Sequence, residues 1–209
     1  MKKIISTFLL LLLMLGSCAS GPAEPQKPDL DQTSPEKTLE SFFTAANFMD
    51  MEEMIRLINP SKIQAIEEAK DFFAELEGDN YPPSMKDYFH KAAGLITYEI
   101  LDSQKKEDKA QIHIESHYVE SKPLLTNIIK ELFSRVLKSA FTGAEIDEEA
   151  MIEKVSRDMI PKILEADKVE TFTVNLEKYK EDWYFDGLSD EIKDVLTAGF
   201  FSLESDEVF

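Results

Sequence analysis

The segment 109–119 limits the fold most strongly, because its side chains alternate in character at every second residue. One face carries Ile112, Ile114, Ser116 and Tyr118, and the other carries Gln111, His113, Glu115, His117 and Val119. This alternation is typical of a strand that buries one face. Comparable segments lie at Leu95–Ser103, Lys168–Lys178 and Asp182–Asp186. The sequence therefore predicts two β-hairpins that contribute about four antiparallel strands.

Helical periodicity precedes the first hairpin and returns between the two. Ser34-Pro35-Glu36 combines a capping hydroxyl, a proline at the first helical position and an acid in the first turn. Further helices are predicted to start with the capping residues Asp50, Ser61, Ser84 and Ser189. The predicted class is α+β, with N-terminal helices packed on the sheet.

The segment 123–166 between the hairpins is predicted to be a long helical insertion. It is expected to break at Thr142-Gly143, and Asp147 is expected to cap its second part. The first part carries Leu124, Ile128, Leu132, Val136 and Phe141, which recur near helical spacing.

Residues 1–17 have the composition of a secretory signal peptide. Lys2 and Lys3 precede an apolar run from Ile4 to Leu15. This run is shorter than the roughly 20 residues that a membrane-spanning helix needs. Leu-Gly-Ser then leads to Cys18, and this pattern resembles the lipobox of bacterial lipoproteins. The resemblance implies cleavage before Cys18 and acylation of its sulfur with palmitate-type chains. The alternative is a secreted protein that is cut after Ser17 and is not acylated.

Cys18 is the single cysteine of the protein. Once it is acylated, no thiol is available for a disulfide, a metal or a nucleophile. Residues 18–33 are predicted to be the lipidated cysteine and a proline-rich linker, which extends on the order of 40 Å. The lipobox resemblance implies an extracytoplasmic, membrane-anchored protein. Ala19 after the cysteine favours the outer membrane where the host has two membranes, and otherwise the anchor lies at the outer face of the cell membrane.

The formal net charge of −18 limits the choice of partners. Such a surface repels phosphate backbones, which excludes nucleic acid, and it is expected to repel anionic headgroups as well. Residues 34–209 are long enough for a single domain with its own core.

Four segments of the chain resemble the NTF2-like superfamily, a cystatin-like α+β cone, and in particular its lipoprotein branch. They are Ser34-Pro-Glu with Phe42-Phe43, the strand Ile96–Leu101, the strand Ala110–Tyr118, and the hairpin Val174–Asp186 with Trp183. The resemblance implies a curved antiparallel sheet that wraps the N-terminal helix and leaves a conical pocket. Phe43, Tyr98, Tyr118 and Trp183 are then expected in the core or in the pocket lining. The insertion 123–166 is longer than the usual connection in that family, and it is expected to cap the pocket or fill it.

His113, Glu115 and His117 form the best candidate for chemistry, because imidazole and carboxylate are zinc ligands. Residues two apart on a strand are separated by roughly 6.7 Å and those four apart by about 13 Å, so one ion is not easily shared by both histidines. The alternatives are an acid–base pair and a solvated strand face. The sequence contains no G-x-S-x-G, P-loop or H-E-x-x-H motif. We therefore predict no cofactor and no enzymatic activity.

The sequence predicts a lipid-anchored envelope protein that binds a small apolar ligand or a protein partner through the cone. One alternative is a structural or assembly lipoprotein that acts only through protein–protein contacts, and another is an NTF2-like hydrolase or isomerase. An aromatic pocket favours the first function. A filled cone with an exposed apolar patch on 123–166 favours the second. A buried acid or histidine that faces a cleft favours the third.

Overall fold

The computed structural model describes residues 30–78, 81–142, 147–161 and 164–202. The predicted signal peptide, Cys18 and most of the predicted linker lie outside these ranges.

Seven helices and four strands lie within the described residues. The helices are α1 (Pro35–Asn47), α2 (Met51–Arg56), α3 (Ile63–Glu77), α4 (Pro83–Ala93), α5 (Lys122–Thr142), α6 (Glu148–Met159) and α7 (Asp190–Leu196). The strands are β1 (Thr97–Lys106), β2 (Lys109–Tyr118), β3 (Lys168–Tyr179) and β4 (Asp182–Phe185).

Local capping starts four of the helices where the sequence predicts. The side chains of Ser34, Asp50, Asp147 and Ser189 each accept a hydrogen bond from a backbone N–H in the first turn of α1, α2, α6 and α7. Each bond satisfies a donor that the helix itself leaves without a partner.

Two predicted caps are wrong. The Ser61 hydroxyl donates to Asn59 Oδ1 at 2.7 Å, and α3 begins at Ile63 without a side-chain cap. Ser84 lies inside α4, which starts one residue earlier because proline suits the first helical position. The Ser84 hydroxyl instead donates to Glu153 Oε2 at 2.9 Å.

The strands form one open antiparallel sheet in the order β1-β2-β3-β4. This arrangement confirms the α+β class, with the helical insertion between β2 and β3. β1 runs three residues past its predicted end at Ser103, because a two-residue turn at Glu107 and Asp108 lets the ladder continue to Lys106↔Lys109.

One face of the sheet is buried by α1. The alternation predicted for β2 and β3 is confirmed, since Ile112, Ile114, Phe172 and Val174 are buried on that face. The Phe42 ring of α1 lies 4.4 Å from the ring of Phe185 between centroids. Burial of each such side chain stabilises the fold by about 1.5–3 kcal/mol relative to leaving it exposed.

The insertion belongs to a second apolar cluster, beside the sheet core. Its buried residues are Met85, Tyr88, Phe89, Ala92, Val119, Leu125, Ile128, Val155 and Ala198. α5 and α6 therefore pack against α4 and the end of α7, and the Tyr88 hydroxyl lies 2.7 Å from the Ser121 hydroxyl at the start of α5. Within the described ranges, the buried residues around the sheet come from outside the insertion.

Candidate functional site

The four aromatic residues expected in the core or the pocket lining contact other protein groups. Phe43 stacks on Tyr98 with 4.5 Å between ring centroids, so these two are brought together at the interface of α1 and β1. Trp183 is buried in β4, and the Lys105 ammonium lies 4.7 Å above its ring. Tyr118 is buried at the opposite end of the sheet from the β1–β2 turn.

The polar residues of β2 lie on the outer face of the sheet, as their alternation predicts. His117 Nε2 is 3.1 Å from Glu115 Oε1, whereas His113 Nδ1 is 3.3 Å from the Thr173 hydroxyl on β3. The structure thus pairs His117 with Glu115 and directs His113 elsewhere. In the described part of the chain, no three His, Cys, Asp or Glu side chains are close enough together to hold a metal ion.

A polar cluster surrounds the Tyr118 hydroxyl, where β2, β3 and α7 meet. The hydroxyl donates to Glu170 Oε2 at 2.5 Å and lies 3.4 Å from Asp194 Oδ2. Lys168 Nζ is 3.4 Å from Asp194 Oδ2 and 3.8 Å from Glu120 Oε2. We call Tyr118, Lys168, Glu170, Asp194 and Glu120 the Tyr118 cluster.

Burial raises the pKa of the Tyr118 phenol far above its ordinary value. The hydrogen bond to Glu170 and the charges of Asp194, Glu170 and Glu120 raise this pKa further. The phenol therefore stays protonated and acts as a hydrogen-bond donor. The Lys168 ammonium lies among the carboxylates of Asp194, Glu170 and Glu120, and this shared cation holds α7 against the sheet.

Sequence reasoning missed the Tyr118 cluster. Its local signal was the alternation of Lys168 and Glu170 at the start of β3, which shows only that both point to one face. The contact depends on the register Tyr118↔Lys168 and on the approach of Asp194 from a helix about 25 residues farther along the chain. Neither is encoded in a short motif.

One cleft of about 650 Å³ opens between the start of α4 and α6. Tyr81, Pro83, Lys86, Glu149, Ile152 and Glu153 line it. Another, of about 450 Å³, lies over the β1–β2 turn and β3, and its lining includes Lys105, Lys106, Lys109, Glu177 and Asp186. Both clefts have mixed polar and apolar walls, unlike a dedicated site for an apolar ligand.

The clearest surface feature is on α5. One side of the helix buries Leu125 and Ile128 in the second cluster, but another side exposes large apolar side chains. Ile129, Phe133, Val136, Leu137 and Phe141 form this surface, and we call it the α5 apolar face. Phe133 is 64% exposed and Phe141 is 88% exposed. The predicted stripe is therefore helical, but its members divide between two sides of α5: Ile128 is buried, whereas Val136 and Phe141 are exposed.

In the described ranges, no helix is both long and apolar enough to cross a bilayer.

Comparison with known proteins gives one distant likeness. No protein-family profile and no curated protein sequence matches the chain. A crystal structure from Bacillus subtilis, of a protein described as a "putative lipoprotein" (ycdA), is similar at 15% identity with a TM-score of 0.47. The alignment covers 80% of this chain and 56% of that one, so this chain spans little more than half the length of that protein.

Proposed function

We propose that this protein is a lipid-anchored cell-envelope protein whose folded part acts by surface contact, without catalysis and without a small-molecule ligand. The anchor is Cys18, at the end of the signal-peptide pattern in residues 1–17. Two or more acyl chains give stable attachment to a bilayer, whereas one chain is marginal. The export signal places the folded part outside the cytoplasm, and Ala19 favours the outer membrane in a host with two membranes.

The observation that carries the proposal is the α5 apolar face. Soluble monomers rarely expose a contiguous apolar patch unless it meets another surface. The side chains that a ligand-binding cone would use are instead in contact with one another or with the sheet. Examples are the stack of Phe43 on Tyr98 and the tilted ring contact of Phe42 with Phe185. This combination favours contact over ligand binding.

The anchor is tested by Cys18→Ser in the native host. We expect the wild-type protein to partition into detergent and to have an intact mass that corresponds to a chain starting at Cys18 plus its acyl groups. The serine variant is expected in the aqueous phase, without the mass increase. Equal partition and equal processed mass of the two proteins would refute the anchor.

The absence of a ligand is tested separately by native mass spectrometry of the protein purified from its host. We expect the mass of the acylated chain alone. A small molecule retained at one copy per chain would contradict the proposal and would support the apolar-ligand alternative.

A further inference from the structure

We propose that the α5 apolar face lies on the surface of an anionic lipid bilayer, namely the bilayer that holds the acylated Cys18. This inference rests on the proposed function, because the anchor is what keeps the bilayer within reach. It names the occupant of a surface that the fold leaves uncovered.

The α5 apolar face has the shape of a strip along one side of the helix. At 3.6 residues per turn, Ile129, Phe133 and Val136 lie within roughly 60° of one another around the helix axis. Leu137 and Phe141 widen this strip on one side. A helix with phenylalanine and aliphatic residues on one face and basic residues beside them is typical of helices that lie in the plane of a membrane interface.

The local charge of α5 suits an anionic bilayer. α5 carries four basic residues, Lys122, Lys130, Arg135 and Lys138, and one acid, Glu131. The helix therefore has a net charge of three positive in a protein whose total is −18. Lys130 and Lys138 are exposed next to the apolar strip, while Arg135 is paired with Glu131 at 2.8 Å. The two exposed lysines suit the phosphates of anionic lipids.

The acidic remainder of the protein opposes contact with such a membrane, as its composition predicts. Charges separated by more than about 8 Å of physiological salt solution are largely screened, so the local charge of α5 dominates at the point of contact. The sequence-wide charge is thus a poor guide to this face.

The proposed anchor keeps the folded part close to the bilayer. Eleven residues separate Cys18 from Leu30, the first described residue. At a maximum of about 3.6 Å per residue they hold the folded part within roughly 45 Å of the bilayer. Such tethering raises the effective concentration of the two surfaces to the order of millimolar, so even a weak contact is populated.

A second copy of the chain is the less suitable occupant. A symmetric dimer through this face would bring Lys130 and Lys138 of both copies together, and like charges directly opposed are unfavourable. An acidic protein partner with an apolar groove shares the required chemistry, and the experiment separates it from lipid.

The test uses the acylated protein in two kinds of nanodisc. One contains only neutral lipid, and the other contains about 30% anionic lipid, which gives a strongly anionic surface. An environment-sensitive dye is attached at Ser134→Cys, which is exposed beside the apolar face, or at Glu181→Cys in the β3–β4 turn as the matched control. We expect the dye at position 134 to shift to shorter wavelength and at least double in intensity in anionic discs only. The dye at position 181 should report water in both.

Two double variants separate the two contributions. Phe133→Ser with Phe141→Ser should abolish the signal, and Lys130→Gln with Lys138→Gln should reduce it at least twofold. High salt should mimic the lysine variant. All four positions are exposed, so the variants should keep the wild-type circular dichroism spectrum and melting temperature.

A dye at position 134 that reports water in both kinds of disc, while the protein remains disc-bound, overturns the inference and leaves the anchor intact. Loss of disc binding by the wild-type protein overturns the anchor itself. In that case, the α5 apolar face is still tested by measuring whether the Cys18→Ser protein sediments with anionic vesicles. If position 134 is shielded from thiol reagents in cells but not in anionic discs, a protein partner covers the face and the lipid assignment is wrong.

Discussion

The Tyr118 hydroxyl offers a sharp test of the contacts that join α7 to the sheet. Tyr118→Phe removes one hydroxyl from a side chain that has no solvent exposure. The ring stays, so its apolar burial and its contact with the Lys168 ammonium, 5.1 Å from the ring centroid, are kept. The change therefore isolates the hydrogen bond to Glu170 at 2.5 Å.

A hydrogen bond to a charged group contributes about 1.5–3 kcal/mol to the free energy of unfolding. The Glu170 side chain is 31% exposed, so water replaces part of the lost donor. The Asp194 carboxylate is only 8% exposed, but it keeps Lys168 and the N–H of Ser202 as partners. We therefore expect a loss in the lower half of the range, about 1.5–2 kcal/mol. For a chain of this size that loss lowers the melting temperature by about 3–8 °C.

The loss is measured by urea unfolding at neutral pH of the chain without residues 1–18, followed by Trp183 fluorescence and circular dichroism. Tyr98→Phe is the matched control, because its ring is stacked on Phe43 and its hydroxyl has no hydrogen-bond partner within the described residues. We expect the control to change stability by less than about 0.5 kcal/mol. Equal losses in the two variants would refute a specific contribution of the Tyr118 hydrogen bond.

Three further predictions concern the core, the ion pairs and one turn. Trp183→Ala should cost about 3–5 kcal/mol in urea unfolding followed by circular dichroism, because it empties a fully buried site. In the folded protein the hydrogen bond from Lys62, assisted by Lys109, lowers the pKa of Glu177. Ionised Glu177 therefore stabilises the fold above its unfolded pKa of about 4.5, and this stabilisation is lost as the pH falls below that value. Lys62→Met should flatten the fall in the urea midpoint from about pH 5 to pH 3, and an unchanged slope would contradict the assignment. Glu107→Gly should raise the free energy of unfolding by about 0.5–1 kcal/mol in thermal melts, because Glu107 has a φ of 54°, whereas Glu107→Ala should leave it nearly unchanged.

Features set by neighbouring residues were predictable from the sequence. The caps at Ser34 and Asp147 depend on a side chain and an N–H three residues apart, and the face of Ile112 and Ile114 depends on alternation alone. Both are dictated within a single turn or strand. The caps expected at Ser61 and Ser84 were wrong because neither residue stands at an N-cap: α3 begins two residues after Ser61, and α4 begins at Pro83, before Ser84. The two hydroxyls donate instead to Asn59 and to Glu153 on a distant helix.

Features set by contacts between distant segments were not predictable. The Tyr118 cluster needs β2 and β3 in one register across a helical insertion, and it needs α7 to return to the same end of the sheet. On β2, His113 faces Thr173 of the neighbouring strand, and within the described residues no group of three His, Cys, Asp or Glu side chains is gathered that could hold a metal ion. Composition and spacing identify the residues that could act as ligands or hydrogen-bonding groups, but they do not show which residues of neighbouring elements lie opposite them.

The α5 apolar face lies between these two cases, because apolar residues occupy more of the circumference of α5 than the domain covers. At about 100° per residue, the exposed Phe133 lies roughly 140° around the helix axis from the buried Ile128. A helix under selection for folding alone would be polar on the uncovered side, because exposed phenylalanine adds nothing to the core. The apolar residues on that side, which continue to Phe141, argue that this side of α5 is shaped by a contact outside the domain.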